Sequence, residues 1–218
     1  MVRDQVVLAD DAERASRSHV ASLPALVERV LARAGLVVGD VEAVAVSIGP
    51  GSFTGLRIGL AFAKGLAFAG GIPLAAVSTL AALAEAAEAA PGQTICAALD
   101  ARKREVYAAT FRVDPDGVRR LCPDLVLSPE ALAGRLPEGA VVVGDAAEAY
   151  PEALGAFRCR PFGTHHPRGA VIARLGARLL AAGEAVDVGT VEPVYVRPSE
   201  AELARGAGAD ARPFGPAR

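Results

Sequence analysis

Three groups of residues in this chain have types and spacings suited to chemistry. The first is the loop Gly49-Pro50-Gly51-Ser52 with Gly55 beyond it, set between a branched apolar run and a run of small residues. Glycines in such a loop can aim backbone N–H groups at an anion, and a helix beginning there adds its dipole. The stretch lacks the Gly-Lys-Ser/Thr ending of a P-loop, and Gly51 and Gly55 enclose three residues where a dinucleotide fingerprint has two. The second group is Asp100, at the end of an apolar run and followed by Arg102 and Arg104. The candidate nucleotide contacts of the loop are Gly49, Gly51 and Ser52. The third group is the pair His165-His166. Adjacent histidines in a strand point to opposite faces, and no carboxylate or cysteine lies at a usual ligand spacing, so a loop pair is expected and no metal site. No His-Glu-x-x-His occurs, and Ser52 has no histidine close in sequence to activate it. Cys96, Cys122 and Cys159 are odd in number, widely spaced and outside any Cys-x-x-Cys, which reads as buried, reduced thiols.

The elements that position the glycine loop are legible on both sides. Val41 to Ile48 reads as a strand, with Val44, Val46 and Ile48 on one face. Ala43, Ala45 and Ser47 leave the other face thin enough for a helix to approach closely. After the turn, Ser52 or Thr54 is a natural N-cap. In the helix that follows, Gly51, Gly55, Gly59 and Ala63 recur every four residues as a smooth stripe. Each helical glycine costs roughly 1 kcal/mol against alanine, so a compensating close contact is expected. Leu56, Ile58, Leu60, Phe62 and Ala67 occupy neighbouring faces. A helix apolar nearly all round is buried or sits at an interface. Packing on its own sheet accounts for these apolar residues, not for the glycine stripe.

Elsewhere the pattern alternates strand and helix, which points to α/β layers. Gln5 to Ala9 reads as a short strand and residues 17 to 34 as a helix closed by Gly35. Pro24 belongs in a first turn, so the regular helix is expected from Ser22. Ser78 caps a third helix ended by Pro91-Gly92. Strands are expected at Thr94 to Leu99 and Glu105 to Val113, with a turn at 114–117 and a return strand from Val118. Ser128-Pro129-Glu130 opens a short helix, Val141 to Val143 is a buried strand, and residues 168 to 182 are a final helix. Two related lobes, 1–99 and 100–198, fit this layout. Residues 199–218 read as a flexible tail, with a docked helix at 199–205 as the alternative.

With 218 residues, 52% hydrophobic and 22% charged, the chain can bury one large or two small cores. Its 23 basic and 25 acidic residues give a net charge of -2, which argues against a nucleic-acid binder acting alone. Arg57 and Lys64 interrupt the best candidate for a membrane span, and no signal-peptide pattern is present, so a cytoplasmic protein is expected.

GPGSFTGLRIG, residues 49 to 59, followed by Lys64 and Gly65, resembles the signature of the TsaB (YeaZ) family. Leu99 to Tyr107, His19, Val143-Gly144-Asp145 and Pro193-Val194-Tyr195-Val196-Arg197 agree with that family's other stretches, and the resemblance spans about residues 3 to 198. It implies a bacterial, cytosolic protein with the actin-like ATPase superfamily (ASKHA, RNase H-like) fold that is not itself the catalyst and binds no cofactor by itself. Its partner would be a TsaD-type catalytic paralogue, which transfers threonylcarbamoyl to N6 of the adenosine beside certain tRNA anticodons. A TsaE-type ATPase completes the system, ATP and a metal ion belong to the partner subunits, and tRNA is met only through the complex. Homodimers are a further possibility of the family. By resemblance the partner contacts are His19, Gly51, Phe53, Gly55, Leu56, Gly59, Leu60 and Ala63. His19 falls where the paralogue has the first histidine of His-x-x-x-His, but Leu23 stands four residues on, so a cap or partner contact is expected instead of a metal ligand. Asp100 falls where superfamily ATPases orient metal-bound water, against the simpler reading of a local pair with arginine. The rival reading of the whole chain is an independent ATPase or glycoprotease-like peptidase acting between the lobes near Asp100 and Gly144-Asp145.

The departure from the family is at the N-terminus. Relatives open with a strand bearing Asp-Thr or a similar pair and then a tight hairpin. Met1 here corresponds to the end of that hairpin, so about 20 residues, a strand and its turn, are expected to be missing. Either translation starts upstream or this version is truncated, and the intact remainder favours the first. Without that strand, its neighbours would have unpaired edges.

Overall fold

The computed structural model describes residues 1–12 and 19–196. They form two compact units, one of Met1–Ala82 with Pro167–Pro193, the other built on Leu83–His166. The division differs from the expected lobes 1–99 and 100–198, because the last helix returns to pack on the first unit's sheet.

In the first unit, β1 (Val2–Arg3) and β2 (Val6–Val7) form an antiparallel hairpin where a single strand over Gln5 to Ala9 is expected. Asp4 and Gln5 adopt left-handed conformations, φ 49° and 66°, and reverse the chain there. Helix α1 (His19–Ala34) runs through Pro24 instead of starting at Ser22. A proline removes one N–H bond, and this helix continues past the loss. Residues 17 and 18 lie outside the described residues. Gly35, at φ 68°, ends α1 with a bond back to Ala32 O, and Leu36 N bonds Leu31 O.

A short 3-10 turn, Val38–Asp40, takes up the chain ahead of the expected strand start, and Asp40 accepts a bond from Val37 N at 2.8 Å. Strand β3 (Val44–Gly49) leads into α2 (Phe53–Gly70), which crosses over to β4 (Leu74–Ser78), parallel to β3. Ser78 caps α3 (Thr79–Ala86) through Ala81 N. This helix stops short of Pro91-Gly92, with Glu88 already left-handed at φ 48°.

The second unit is a six-stranded sheet. Its strands are β5 (Thr94–Arg102), β6 (Glu105–Asp114), β7 (Gly117–Arg120), β8 (Leu125–Leu127), β9 (Val141–Val143) and β10 (Arg158–Arg160). The order is β10-β9-β5-β6-β7, with β8 also on β6. β10, β9 and β5 run parallel, while β5, β6 and β7 are antiparallel, as the turn at 114–117 requires. The short helices α4 (Pro129–Ala133), α5 (Ala146–Ala149) and α6 (Pro151–Leu154) complete it, and Ser128 caps α4 through Ala131 N. Ile95, Val106, Phe111, Val142 and Leu154 are buried in this unit.

Helix α7 (Gly169–Ala181) belongs to the first unit and packs on β3 and β4. It lies on the thin alanine face of β3. A Cβ on Gly176 would stand 2.3 Å from Ala45 Cβ and 3.3 Å from Ala75 Cβ. Its N-terminus is tied to the start of the chain, where Asp10 accepts from Ala170 N at 3.3 Å and pairs with Arg168 Nε at 2.6 Å. β4 is buried along its length, whereas β3 is half-buried from Val44 to Ser47. Among the described residues the second edge of β3 carries no strand.

Gly176→Ala is expected to force α7 off β3, at a cost of about 1–3 kcal/mol for an overpacked contact. Urea unfolding of the full chain measures it, and an unchanged midpoint would contradict the contact.

Candidate partner-binding helix and the Asp100 cluster

The cap of α2 is Ser52, whose Oγ accepts from Gly55 N at 3.3 Å; Thr54 is already inside the helix. Gly49 needs the left-handed region, at φ 126°, and Pro50 is fully buried beneath the turn. These residues form the start of a helix, and the Ser52 hydroxyl is engaged in its own cap. Gly49, Gly51 and Ser52 belong to the first unit and Asp100 to the second.

Among the described residues the glycine stripe meets little. Within 4 Å of a Cβ placed on Gly51, Gly59 or Gly65 there is no atom beyond the local backbone, and Gly55 would meet only Ser52. The inner face of α2 is instead Leu60, Ala63 and Ala67, which are 3%, 5% and 1% exposed. Leu60 and Ala63 are therefore core residues and are not available to a partner. The reason is helical drift. Residues four apart advance about 40° round an α-helix, so a stripe that begins on one face has turned by about 120° after three steps.

The outward face is marked by two aromatics. Phe53 is 39% exposed with the Arg57 guanidinium 3.8 Å from its ring centroid, and Phe68 is 83% exposed. Leu56 is half-buried. Phe68 escaped the sequence reading because it stands outside the signature; its place fifteen residues after Phe53 on one helix was the available signal. α1 packs beside α2, and the His19 side chain lies outside the described residues. Lys64 has a structural task, donating to Gly189 O at 3.2 Å and Val191 O at 3.1 Å.

In the second unit, Leu99 to Tyr107 is the β5–β6 hairpin, and its tip Arg102-Lys103-Arg104 is left-handed throughout, at φ 64°, 54° and 59°. Asp100 anchors that tip. Its Oδ1 accepts from Arg102 N and Tyr150 Oη, both at 2.8 Å, and its Oδ2 pairs with Arg102 Nη1 at 3.1 Å. Asp100 N donates to Asp145 Oδ1 at 2.8 Å. Gly144 makes this approach possible, since at φ 117° a Cβ there would lie 1.9 Å from Ala98 O. The local Asp–Arg pair is thus the observed state of Asp100.

Burial raises the Asp145 pKa above its ordinary value, and the nearby Asp100 charge adds to the rise, against the opposing bond from Asp100 N and the charge of Arg102. Donation to Asp100 similarly raises the Tyr150 pKa. His165 and His166 sit in a loop, His165 Nδ1 2.8 Å from Thr164 Oγ1 and His166 edge-on to Phe162. Among the described residues no three His, Cys, Asp or Glu side chains are grouped to hold a metal, and no helix is long and apolar enough to cross a membrane. Of the three thiols expected to be buried only Cys96 is, its thiol pushed up to about 12; Cys122 is half-buried and accepts from Thr110 N at 3.2 Å, and Cys159 is exposed.

A carboxylate with a raised folded-state pKa stabilises the fold at low pH and loses that contribution as pH rises through the folded value. Asp145→Asn keeps the acceptor for Asp100 N and removes the buried charge. Its stability relative to the unsubstituted chain is expected to climb as pH rises above the ordinary carboxylate range of about 4. Unfolding free energies at several pH values test this, and a difference independent of pH would contradict it.

Comparison with known proteins agrees along nearly the whole chain. The family model for tRNA N6-adenosine threonylcarbamoyltransferase (TsaD) matches residues 10–201. The tRNA threonylcarbamoyladenosine biosynthesis protein TsaB of Escherichia coli K12 is 34% identical over 193 residues, covering 85% of this chain and 83% of that protein. A 52-residue segment, 24% of this chain and 16% of its relative, is 52% identical to the tRNA N6-adenosine threonylcarbamoyltransferase of Thermus thermophilus. The solved structure of YeaZ from Pseudomonas aeruginosa superposes with a TM-score of 0.74 at 32% identity, covering 84% of this chain and 86% of that one. The α/β architecture is that of YeaZ and is consistent with the actin-like ATPase superfamily. By sequence along most of its length and by fold, the chain belongs to the TsaB (YeaZ) family, within the wider family that the transferase model describes.

Proposed function

We propose that this chain is a non-catalytic subunit in the formation of N6-threonylcarbamoyladenosine on tRNA. It binds a TsaD-type transferase through the outward face of α2 with α1 beside it, and activates that subunit. ATP, metal and the transfer chemistry belong to the partners, and tRNA is met through the complex. The observation that carries this reading is that Gly59 and Gly65 of α2, and Gly51 just ahead of its cap, have no atom of the described residues within 4 Å of a Cβ placed on them beyond the local backbone. A helix that keeps Gly59 and Gly65 at roughly 1 kcal/mol each is expected to gain a close backbone contact elsewhere. Exposed Phe68 supplies the kind of large aromatic that anchors interfaces. The segment shared with the Thermus transferase supports pairing between related chains.

Gly59→Leu separates folding from association. The new side chain enters open space and improves helix propensity by up to about 1 kcal/mol, so the free chain is expected to melt no lower than before. Association with the TsaD-type subunit is expected to weaken at least about tenfold, and Phe68→Ala to do the same. Thermal melts and titration calorimetry measure the two effects. Both variants binding as tightly as the unsubstituted chain would remove α2 from the interface. Asp100→Ala is the control for the rival hydrolase, and it is expected to leave association intact.

A further inference from the structure

Strands β5 and β6 are joined by a two-residue loop, Lys103-Arg104, with Arg102 and Glu105 paired across its base. A loop of that length follows the strand twist when both central residues have positive φ, which is why Asn-Gly and Asp-Gly dominate it. Here the two are Lys103 at φ 54° and Arg104 at φ 59°, and Arg102, at φ 64°, extends the left-handed run into the strand. Long L side chains rarely adopt that conformation. Among the described residues this is the longest run of left-handed residues other than glycine.

Backbone of this kind persists where its surroundings hold it, and it gathers at places that bind ligands. The surroundings here are the Asp100 cluster: Asp100 Oδ1 accepts from Arg102 N and Tyr150 Oη, and Asp100 N donates to Asp145 Oδ1. What the tip presents is charge. The side chains of Arg102 and Arg104 are 87% and 84% exposed, and Lys103 is exposed between them. The Asp100 carboxylate that answers Arg102 is itself largely covered. Arg104 meets Glu130 at 3.6 Å across open surface, a pairing worth little and readily exchanged for another anion.

Two kinds of macromolecule carry the negative charge such a tip attracts, an acidic protein surface and a nucleic acid. Protein interfaces are anchored by large buried side chains. None of the exposed large apolar residues among the described residues belongs to this tip. Phosphate contacts need no such anchor, since arginine and lysine on a fixed backbone bond phosphate oxygens without reading sequence. The chain's relatives act in tRNA modification, which brings one such polyanion to the complex.

We propose that the Arg102-Lys103-Arg104 tip contacts the phosphodiester backbone of tRNA when the chain is bound to its transferase partner. The proposal rests on the partner reading above and gives this chain a direct share in holding the RNA. A net charge of -2 keeps that contact weak outside the complex.

Lys103→Asn combined with Arg104→Gly removes two of the three cations and supplies the pair this turn prefers, so the double variant is expected to melt no lower than the unsubstituted chain. Filter binding of unmodified tRNA to the chain–transferase complex at several salt concentrations, beside calorimetric titration of the chain with the transferase, tests the proposal. The double variant is expected to associate with the transferase as before. Its complex is expected to bind tRNA at least about fivefold more weakly near physiological salt, with the slope of log affinity against log salt flattened by about 1.5. Lys103→Arg keeps the charge and is expected to retain tRNA affinity. Unchanged affinity and slope in an intact complex would overturn the proposal and leave the partner reading in place. Weaker association with the transferase or the ATPase subunit, with tRNA binding by the assembled complex unaltered, would also overturn it and assign the tip to an acidic protein surface. If the unsubstituted chain bound no transferase, the partner reading would fall and this proposal with it.

Discussion

Helix α7 lies against β3 at a separation that only the missing side chain of Gly176 allows, with Ala45 and Ala75 directly below. That contact holds the thin face of the first sheet. α2 packs on the same strands, and β3 ends at Gly49, whose φ of 126° begins the turn. From there the Ser52 cap sets the start of α2, and the rotation of α2 follows from which residues its own core accepts. Leu60, Ala63 and Ala67 are drawn inward, while Phe68 is left exposed and Gly59 and Gly65 meet no side chain of the described residues. The surface assigned to a partner is thus a consequence of core packing two layers away.

The second unit is organised by a different constraint. Its parallel strands β5 and β9 bring Asp100 and Asp145 to the same end of the sheet, and the φ of Gly144 lets them meet. The carboxylate of Asp100 is engaged in holding a hairpin tip of three left-handed, non-glycine residues. Such backbone is sparsely populated and persists only where surroundings determine it. The side chains of this cluster serve the hairpin's shape.

Much of this was legible in the sequence because it rests on local patterns. The alternation of Val44, Val46 and Ile48 with Ala43, Ala45 and Ser47 announced both the strand and a close helix, and Ser128-Pro129 announced α4. What was not legible depended on tertiary choice. The close helix proved to be α7, brought back from far along the chain by Gly176. A regular four-residue spacing suggested that Gly51 to Ala63 shared one face, whereas helical geometry carries Ala63 round to the core. Asp4 and Gln5 carry no glycine or proline signal, so the β1–β2 turn went unread and only a strand from Gln5 to Ala9 was expected. The pairing of Asp100 with Arg102 was anticipated, but its bonds to Tyr150 and Asp145 join residues 45 or more positions apart, beyond any local pattern.

The most direct test of the central claim is reconstitution. This chain, its cognate TsaD-type transferase and the TsaE-type ATPase would be combined with unmodified tRNA, threonylcarbamoyl donor and ATP, and threonylcarbamoyladenosine counted by mass spectrometry. The account predicts product only when this chain and the transferase are both present, and none from this chain alone. Full product formation without this chain, or transfer catalysed by this chain by itself, would contradict it.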